Sequence, residues 1–456
     1  MRSIEELWRD SQVAIVKPDL DKYSDVQIGR AVDHLCRELG WFSQEKGPFG
    51  QVIKKGDRVV IKPNFVMHRN QGPWDIEPLI THPSLVRAAV EAALQADPAE
   101  VIVGDAPLQS CDFDLLMQRT GLSQWSDDLM RRDPRFNGIR DFRRTTCSIV
   151  DGVRIASEDL QSQDDFILFD LAEESLLEEI SDPRVPFRVT CYDPRLMSER
   201  HSKGKHQYLI AREIIEADVV INLPKLKTHK KAGMTCALKN LIGINGNKEY
   251  LPHHRLGGSG NGGDCYPGKS AMKTALEYAL DQQNMARSAL VGKLWSELST
   301  NLNRILHVAG DTTGVEGSHS GNDTVWRTCL DLNRILLYGR NDATLGKNLQ
   351  RKVIHLVDAV VAGQGNGPLS PEPLPAGVVF AGSNAAAIDW VGAELLGYDK
   401  TKLPLVREAF GHFRWPIADF DPDDVTVPDA VNNALMEYVP IIYPDGWKGA
   451  GRNSSV

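Results

Sequence analysis

Gly56-Asp57-Arg58-Val59-Val60-Ile61-Lys62-Pro63-Asn64 and, farther on, Val101-Ile102-Val103-Gly104-Asp105-Ala106-Pro107 are the two stretches that decide the fold. Each is a short apolar run ending in polar residues, the pattern of a strand buried on both faces with its tip in reach of solvent. Between them Thr81-His82-Pro83 precedes an alanine-rich stretch, residues 85–94, whose apolar spacing predicts a helix starting near Thr81 or His82. A strand, helix, strand order makes a parallel pair and brings both tips to the same end of the sheet, where such sheets carry their chemistry. A third run, Asp218-Val219-Val220-Ile221-Asn222-Leu223-Pro224-Lys225, ends in a basic loop; Val353-Ile354-His355-Leu356-Val357-Asp358 and Gly377-Val378-Val379-Phe380-Ala381-Gly382 read as two more strands, and residues 384–396 as a helix stopped by Gly397. The expected class is α/β, with mostly parallel sheets, flanking helices, two lobes around a crevice and a helical insertion. That insertion covers residues 270–306, where Met272, Leu276, Ala279 and Leu280 are followed by Leu290, Leu294, Leu298 and Leu302.

The chain has 456 residues, 42% hydrophobic and 25% charged, enough for several structural units around a substantial core. Four segments are expected: an α/β lobe at 1–175, a central strand and basic loop at 176–250, a glycine-rich lid with the helical insertion at 251–345, and an α/β segment at 346–456 that completes the core. The lid expectation rests on Gly257-Gly258-Ser259-Gly260-Asn261-Gly262-Gly263-Asp264. A net charge of −9 argues against a nucleic-acid partner. The N-terminal residues lack the apolar core of a signal peptide, and no run of about 18 apolar residues occurs, so a cytoplasmic protein with no membrane partner is expected. Seven cysteines are widely spaced with no Cys-x-x-Cys pair, which speaks against disulfides, a zinc ribbon and an iron-sulfur cluster.

If the three tips are neighbours, they line a crevice suited to an anion. Lys62, Lys225 and Lys227 would bind carboxylate or phosphate, with Asn64, Thr228 and Asn240 orienting it. Positive neighbours should keep His229 neutral, able to accept a proton or bind a metal. Ala232-Gly233-Met234-Thr235-Cys236-Ala237-Leu238-Lys239-Asn240 is small or apolar around Lys239, and burial would lower that ammonium toward nucleophilic or electrostatic use. His253-His254-Arg255 adjoins the glycine tract, so a closing lid would bring an imidazole and the Arg255 guanidinium to the crevice. Asp105 or Asp358 would orient His229 or bind a cation.

Lys62-Pro63-Asn64, Thr81-His82-Pro83, Gly104-Asp105, Leu226-Lys227-Thr228-His229, Leu238-Lys239-Asn240-Leu241-Ile242-Gly243 and Val357-Asp358 with Gly367-Pro368 together resemble the domain of unknown function 362 family over about residues 50 to 400. A more distant resemblance, through His229, Ala232-Gly233 and Lys239, is to the nickel-pincer lactate racemases. It implies a cofactor-attachment position at Lys239, an acid/base histidine at His229 and a metal-ligand position near His253 or His254. Cys236-Ala237-Leu238 departs from the racemase pattern.

These readings converge on an enzyme acting by acid/base chemistry on a small anionic metabolite such as a hydroxy acid, sugar acid or phosphorylated sugar, of isomerase or epimerase type. The assigned roles are catalysis for His229, Lys239 and Asp105, substrate binding for Lys62, Asn64, Lys225, Lys227, Thr228, Asn240 and Arg255, and a divalent metal on His253, His254 and Asp358. The competing reading is a non-catalytic anion or cofactor carrier, or a redox member of the same family without clusters. A homo-oligomer built on the helical insertion is a further expectation.

Overall fold

The computed structural model describes residues 1–17, 23–150, 153–159, 161–311, 313–427 and 441–452. Its centre is a mixed, mostly parallel sheet. In chain order its main strands are β1 (Val13–Val16), β2 (Arg58–Pro63), β3 (Glu100–Asp105), β4 (Phe136–Asp141), β5 (Val219–Leu223), β6 (Lys225–His229), β7 (Gly233–Thr235), β8 (Lys352–Gln364) and β9 (Val378–Gly382). They lie in the order β1-β9-β8-β5-β2-β3-β4, parallel from β8 through β4 and antiparallel where β9 meets β8 and β1. β2, β3 and β5 are buried nearly throughout, as their continuous apolar runs require.

β8 is long enough to serve two partners. Its first half pairs with β5, and its second half with β6, so Lys225 sits beside Asp358. The chain therefore leaves β5 at Leu223, passes Pro224 and resumes along the same neighbour, which carries the basic residues past the end of β5. β7 folds back antiparallel on β6.

The helix α1 (Asp25–Glu38) and the helix α2 (Pro83–Gln95) pack one face of the sheet in a single apolar core. Pro83 opens α2, and the His82 ring caps it by accepting from the Ser84 amide at 3.2 Å. The opposite face carries two cores. One is centred on α3 (Ala385–Leu395) with Met234, Ala237 and Leu238, the other on the pair Phe166–Asp170 and Lys205–Ala211. The helical insertion is two helices, α4 (Ala271–Met285) and α5 (Ala289–Val308), packed on each other.

The glycine tract is anchored. Ser259–Asn261 forms a single turn, and buried Asp264 accepts from the Thr324 hydroxyl at 2.6 Å and the Asp323 amide at 3.0 Å. The expected lid is tied down here because a carboxylate buried at one end must be satisfied by hydrogen bonds.

Candidate functional site

β2 and β3 end side by side, and Lys62, next to last in β2, and Asp105, last in β3, form a buried ion pair, Lys62 Nζ to Asp105 Oδ1 at 2.7 Å. The second Asp105 oxygen accepts from the Phe65 amide at 2.7 Å. Lys62 also donates to Asn240 Oδ1 at 3.2 Å, Asn240 to Asn222 Oδ1 at 2.7 Å, and Asn222 to the Ala237 carbonyl at 3.1 Å. This chain of side chains fastens the short helix Ala237–Asn240 across the strand ends and fixes where Lys239 emerges. Gly243 is required at the same place, since a Cβ there would lie 1.9 Å from Asp105 Oδ1.

Above this base lies a cavity of about 320 Å³, lined among others by Asn64, Asp105, Lys227, His229, Lys239, Asn240, Lys248 and His253, with Lys230, Lys231 and Glu316 at its side. Through Met67, Gln71, Ser110 and Cys147 it shares walls with an open cleft of about 990 Å³. Positive charge predominates. Glu316 pairs with Lys230 and, at 3.6 Å, with Lys231; although burial opposes it, those two lysines hold its carboxyl down at about 2. Among the described residues Lys227 is held by neutral oxygens alone, Asn64 Oδ1 at 2.9 Å and the Leu79 carbonyl at 2.5 Å, and Lys248 likewise by the Ala106 carbonyl at 2.8 Å and the Ile242 carbonyl at 3.5 Å. Lys239 has no hydrogen-bond or ion-pair partner among the described residues. Burial lowers all three ammonium groups, Lys227 well below its usual value and Lys248 to about 7. Bringing an anion into the cavity would restore their preference for the charged form.

The two histidines in this cavity are fixed in opposite states. His229 Nδ1 accepts from the Lys231 amide at 3.0 Å and the Ala232 amide at 3.2 Å, so its proton sits on Nε2. His253 Nδ1 faces the Leu251 carbonyl at 2.7 Å and must donate, which leaves Nε2 as an unprotonated acceptor. Burial first, and then neighbouring lysines, depress both rings well below the ordinary histidine value and keep them neutral. One ring thus offers the cavity an N–H and the other a lone pair.

A family model described as Domain of unknown function (DUF362) matches residues 59–167 and 170–394. The chain belongs to that family. The DUF362 chain is 22% identical over 370 residues to a thylakoid-associated protein of Synechocystis sp., covering 81% of this chain and 72% of that protein. Two solved structures show loose likeness, each with a TM-score of 0.33. A Thermotoga maritima protein is 11% identical, with 82% of this chain and 59% of that one covered; the lactate racemase apoprotein of Thermoanaerobacterium thermosaccharolyticum is 12% identical, with 85% and 57% covered. This chain therefore spans less than two thirds of the length of either solved structure. Among the described residues of the DUF362 chain, no helix is long and apolar enough to cross a membrane.

Of the residues singled out from the sequence, the DUF362 fold brings Asn64, Asp105, Lys227, His229, Lys239, Asn240 and His253 to one cavity. Lys62 lies behind Asp105 and is spent on that carboxylate. Lys225 points away from the cavity: it pairs with Asp358 at 2.8 Å and donates to the Tyr23 hydroxyl at 2.9 Å, while Tyr23 donates to Asp358 at 2.6 Å and stacks on His82. Lys225 shares a strand face with Lys227 and His229, and it is the register shift against β8 between Lys225 and Lys227 that sets it apart; period-two alternation along β6 turns Thr228 the other way, where it donates to the Gly365 carbonyl at 2.8 Å. Arg255 faces Asp264 at 3.6 Å. The set His253, His254 and Asp358 is not assembled. His254 is buried and is not among the residues lining the cavity, with no hydrogen-bond partner for its Nδ1 among the described residues, Asp358 is engaged by Lys225 and Tyr23, and no group of three or more His, Cys, Asp or Glu among the described residues is placed to hold a metal ion. The role expected of His229 also changes: its Nδ1 is occupied, so it presents a donor where an acceptor was expected. Lys248 and Glu316 were missed, the first for want of any motif and the second because it comes from a distant loop. Of the cysteines, Cys191 is exposed and the other six are buried, all with free thiols.

Proposed function

We propose that this DUF362 protein is an enzyme that moves a proton at a carbon next to a carbonyl in a small anionic metabolite, a hydroxy acid, sugar acid or phosphorylated sugar, in an isomerase- or epimerase-type reaction. The observation that carries this reading is the pair of neutral histidines with opposite Nε2 states in one lysine-rich cavity. Lys227 and Lys239 would hold the carboxylate or phosphate as point charges. His253 Nε2 would take the proton from carbon, and His229 Nε2–H would donate to the oxygen on which negative charge grows. A neutral imidazole suits that donor task, since it stabilises the developing enolate without surrendering a proton beforehand. The imidazolium formed at His253 then returns its proton on the same face to the neighbouring carbon, which isomerises the substrate, or to the original carbon after the enolate has turned over in the cavity, which inverts it. The cavity volume is that of a site for a small ligand.

Lys239 is also where the racemase resemblance places a tethered cofactor. Its unpartnered amine and the unshared Nε2 of His253 are the groups that would hold a metal-bearing cofactor, which would add Lewis-acid polarisation of the substrate oxygen. No step above depends on it.

The test is proton exchange in D2O, followed by NMR, with a panel of 2-hydroxy acids, sugar acids and sugar phosphates. The expected result is deuterium incorporation at one carbon, reduced by about 10²- to 10⁴-fold in His253→Gln with anion binding retained. Binding without exchange by the unmodified protein for every panel member would replace the enzyme by a non-catalytic anion carrier.

A further inference from the structure

The helix α5 leaves six of its large apolar side chains exposed, Leu290, Val291, Leu294, Leu298, Ile305 and Val308. Its inner face is Gly292, Trp295, Ser299, Leu302 and Leu306, set against α4, with Trp295 edge-on to Tyr278 and the Ser299 hydroxyl donating to Gln283 at 3.1 Å. Its outer face carries Val291, Leu294, Leu298, Asn301, Ile305 and Val308, all exposed; Leu294 retains 60% and Val308 86% of its surface. Their spacing alternates three and four along the whole helix, the a/d stripe of a helix pair rather than a scatter of surface leucines.

We propose that this face is the contact between two copies of the chain, with the two α5 helices antiparallel about a two-fold axis. The stripe is a palindrome for that arrangement. Around a centre between Ser299 and Thr300, Val291 meets Val308 of the second copy, Leu294 meets Ile305, and Leu298 meets Asn301, each layer occurring twice, as an isologous contact demands. The flanking charges agree with it. Glu297 and Arg304 lie just beside the stripe, are exposed, and have no ion-pair partner among the described residues. The antiparallel register brings each Glu297 to Arg304 of the second copy, two pairs along one edge of the contact, whereas a parallel pair would leave both charges facing apolar residues. The exposed stripe amounts to on the order of 600 Å² per copy, close to the ~800 Å² per partner of a standard interface once its rim is added.

Sedimentation velocity on the full chain between about 1 and 100 µM tests it. A dimer is expected, converted to monomer by Leu294→Glu/Leu298→Glu with an unchanged far-ultraviolet circular dichroism spectrum, since both sites are at the surface. Glu297→Arg and Arg304→Glu should each weaken the dimer about tenfold or more by placing like charges together, and the double reversal should restore it. A monomer at every concentration, a dimer indifferent to the leucine changes, or a double reversal as weak as the single ones would overturn the proposal. So would a monomer that binds anionic lipid vesicles through the same leucines, which would assign the face to a membrane surface.

Discussion

Replacing Lys239 by Met separates folding from ligand binding more cleanly than any other single change in this cavity. The ammonium is buried and without a partner among the described residues, so the native state pays its desolvation with no ion pair in return. Because burial lowers its pKa, the unfolded chain holds this proton more firmly than the native one, and the group costs stability at all pH values below its ordinary titration. Lys239→Met should therefore stabilise the ligand-free protein, by on the order of 1 kcal/mol. Its effect on an anion should be the reverse. A charge-assisted hydrogen bond contributes about 1.5–3 kcal/mol, or about 10- to 150-fold in Kd. With oxalate at about 100 times its Kd, the unmodified protein should gain about 2.7 kcal/mol of stability, and a variant binding about 100-fold more weakly only about 0.4 kcal/mol. Urea denaturation with and without oxalate reads both quantities. A variant less stable than the parent in the absence of oxalate would show that Lys239 has a structural partner, and full retention of the oxalate effect would remove it from the anion site.

The ion pair beneath the cavity should behave in the opposite manner: Lys62→Met or Asp105→Ala, each stranding a buried charge, should lower stability by about 3–5 kcal/mol, and the double change Lys62→Met/Asp105→Leu should recover much of it, as measured by the urea midpoint. Lys248 titrates at about 7 in the native state against 10.5 ordinarily, so anion affinity should fall as pH rises through 7, while stability contributed by this group should rise between 7 and 10.5, where the unfolded chain binds the extra proton. Calorimetric titration of phosphate across that range should show the falling limb, and Lys248→Met should flatten it.

The sheet was legible because a strand buried on both faces leaves an uninterrupted apolar run. Val59 to Ile61, Val101 to Val103 and Val219 to Ile221 could hardly be anything else, and their polar ends marked where Lys62, Asp105 and the residues after Leu223 would lie. The insertion was legible from its helical periodicity, which reads as one broken helix or two, and residues 286–288 make it two. Four of the five residues from Lys225 to His229 carry plausible chemistry, and alternation puts three of them, Lys225, Lys227 and His229, on one face, yet the register shift against β8 sends Lys225 to Asp358 and leaves Lys227 and His229 to the cavity.

The sequence by itself determined the α/β class, the strand ends at which polar residues gather and the excess of lysine near His229, because burial patterns and local composition are written along the chain. Only the tertiary structure decided which of those residues share a cavity, since that depends on strand order and on β8 serving two partners. It also decided which histidine offers a proton and which a lone pair. That choice turns on whether an amide or a carbonyl stands opposite Nδ1, which depends on how the backbone turns around each ring and not on the identity of the residue.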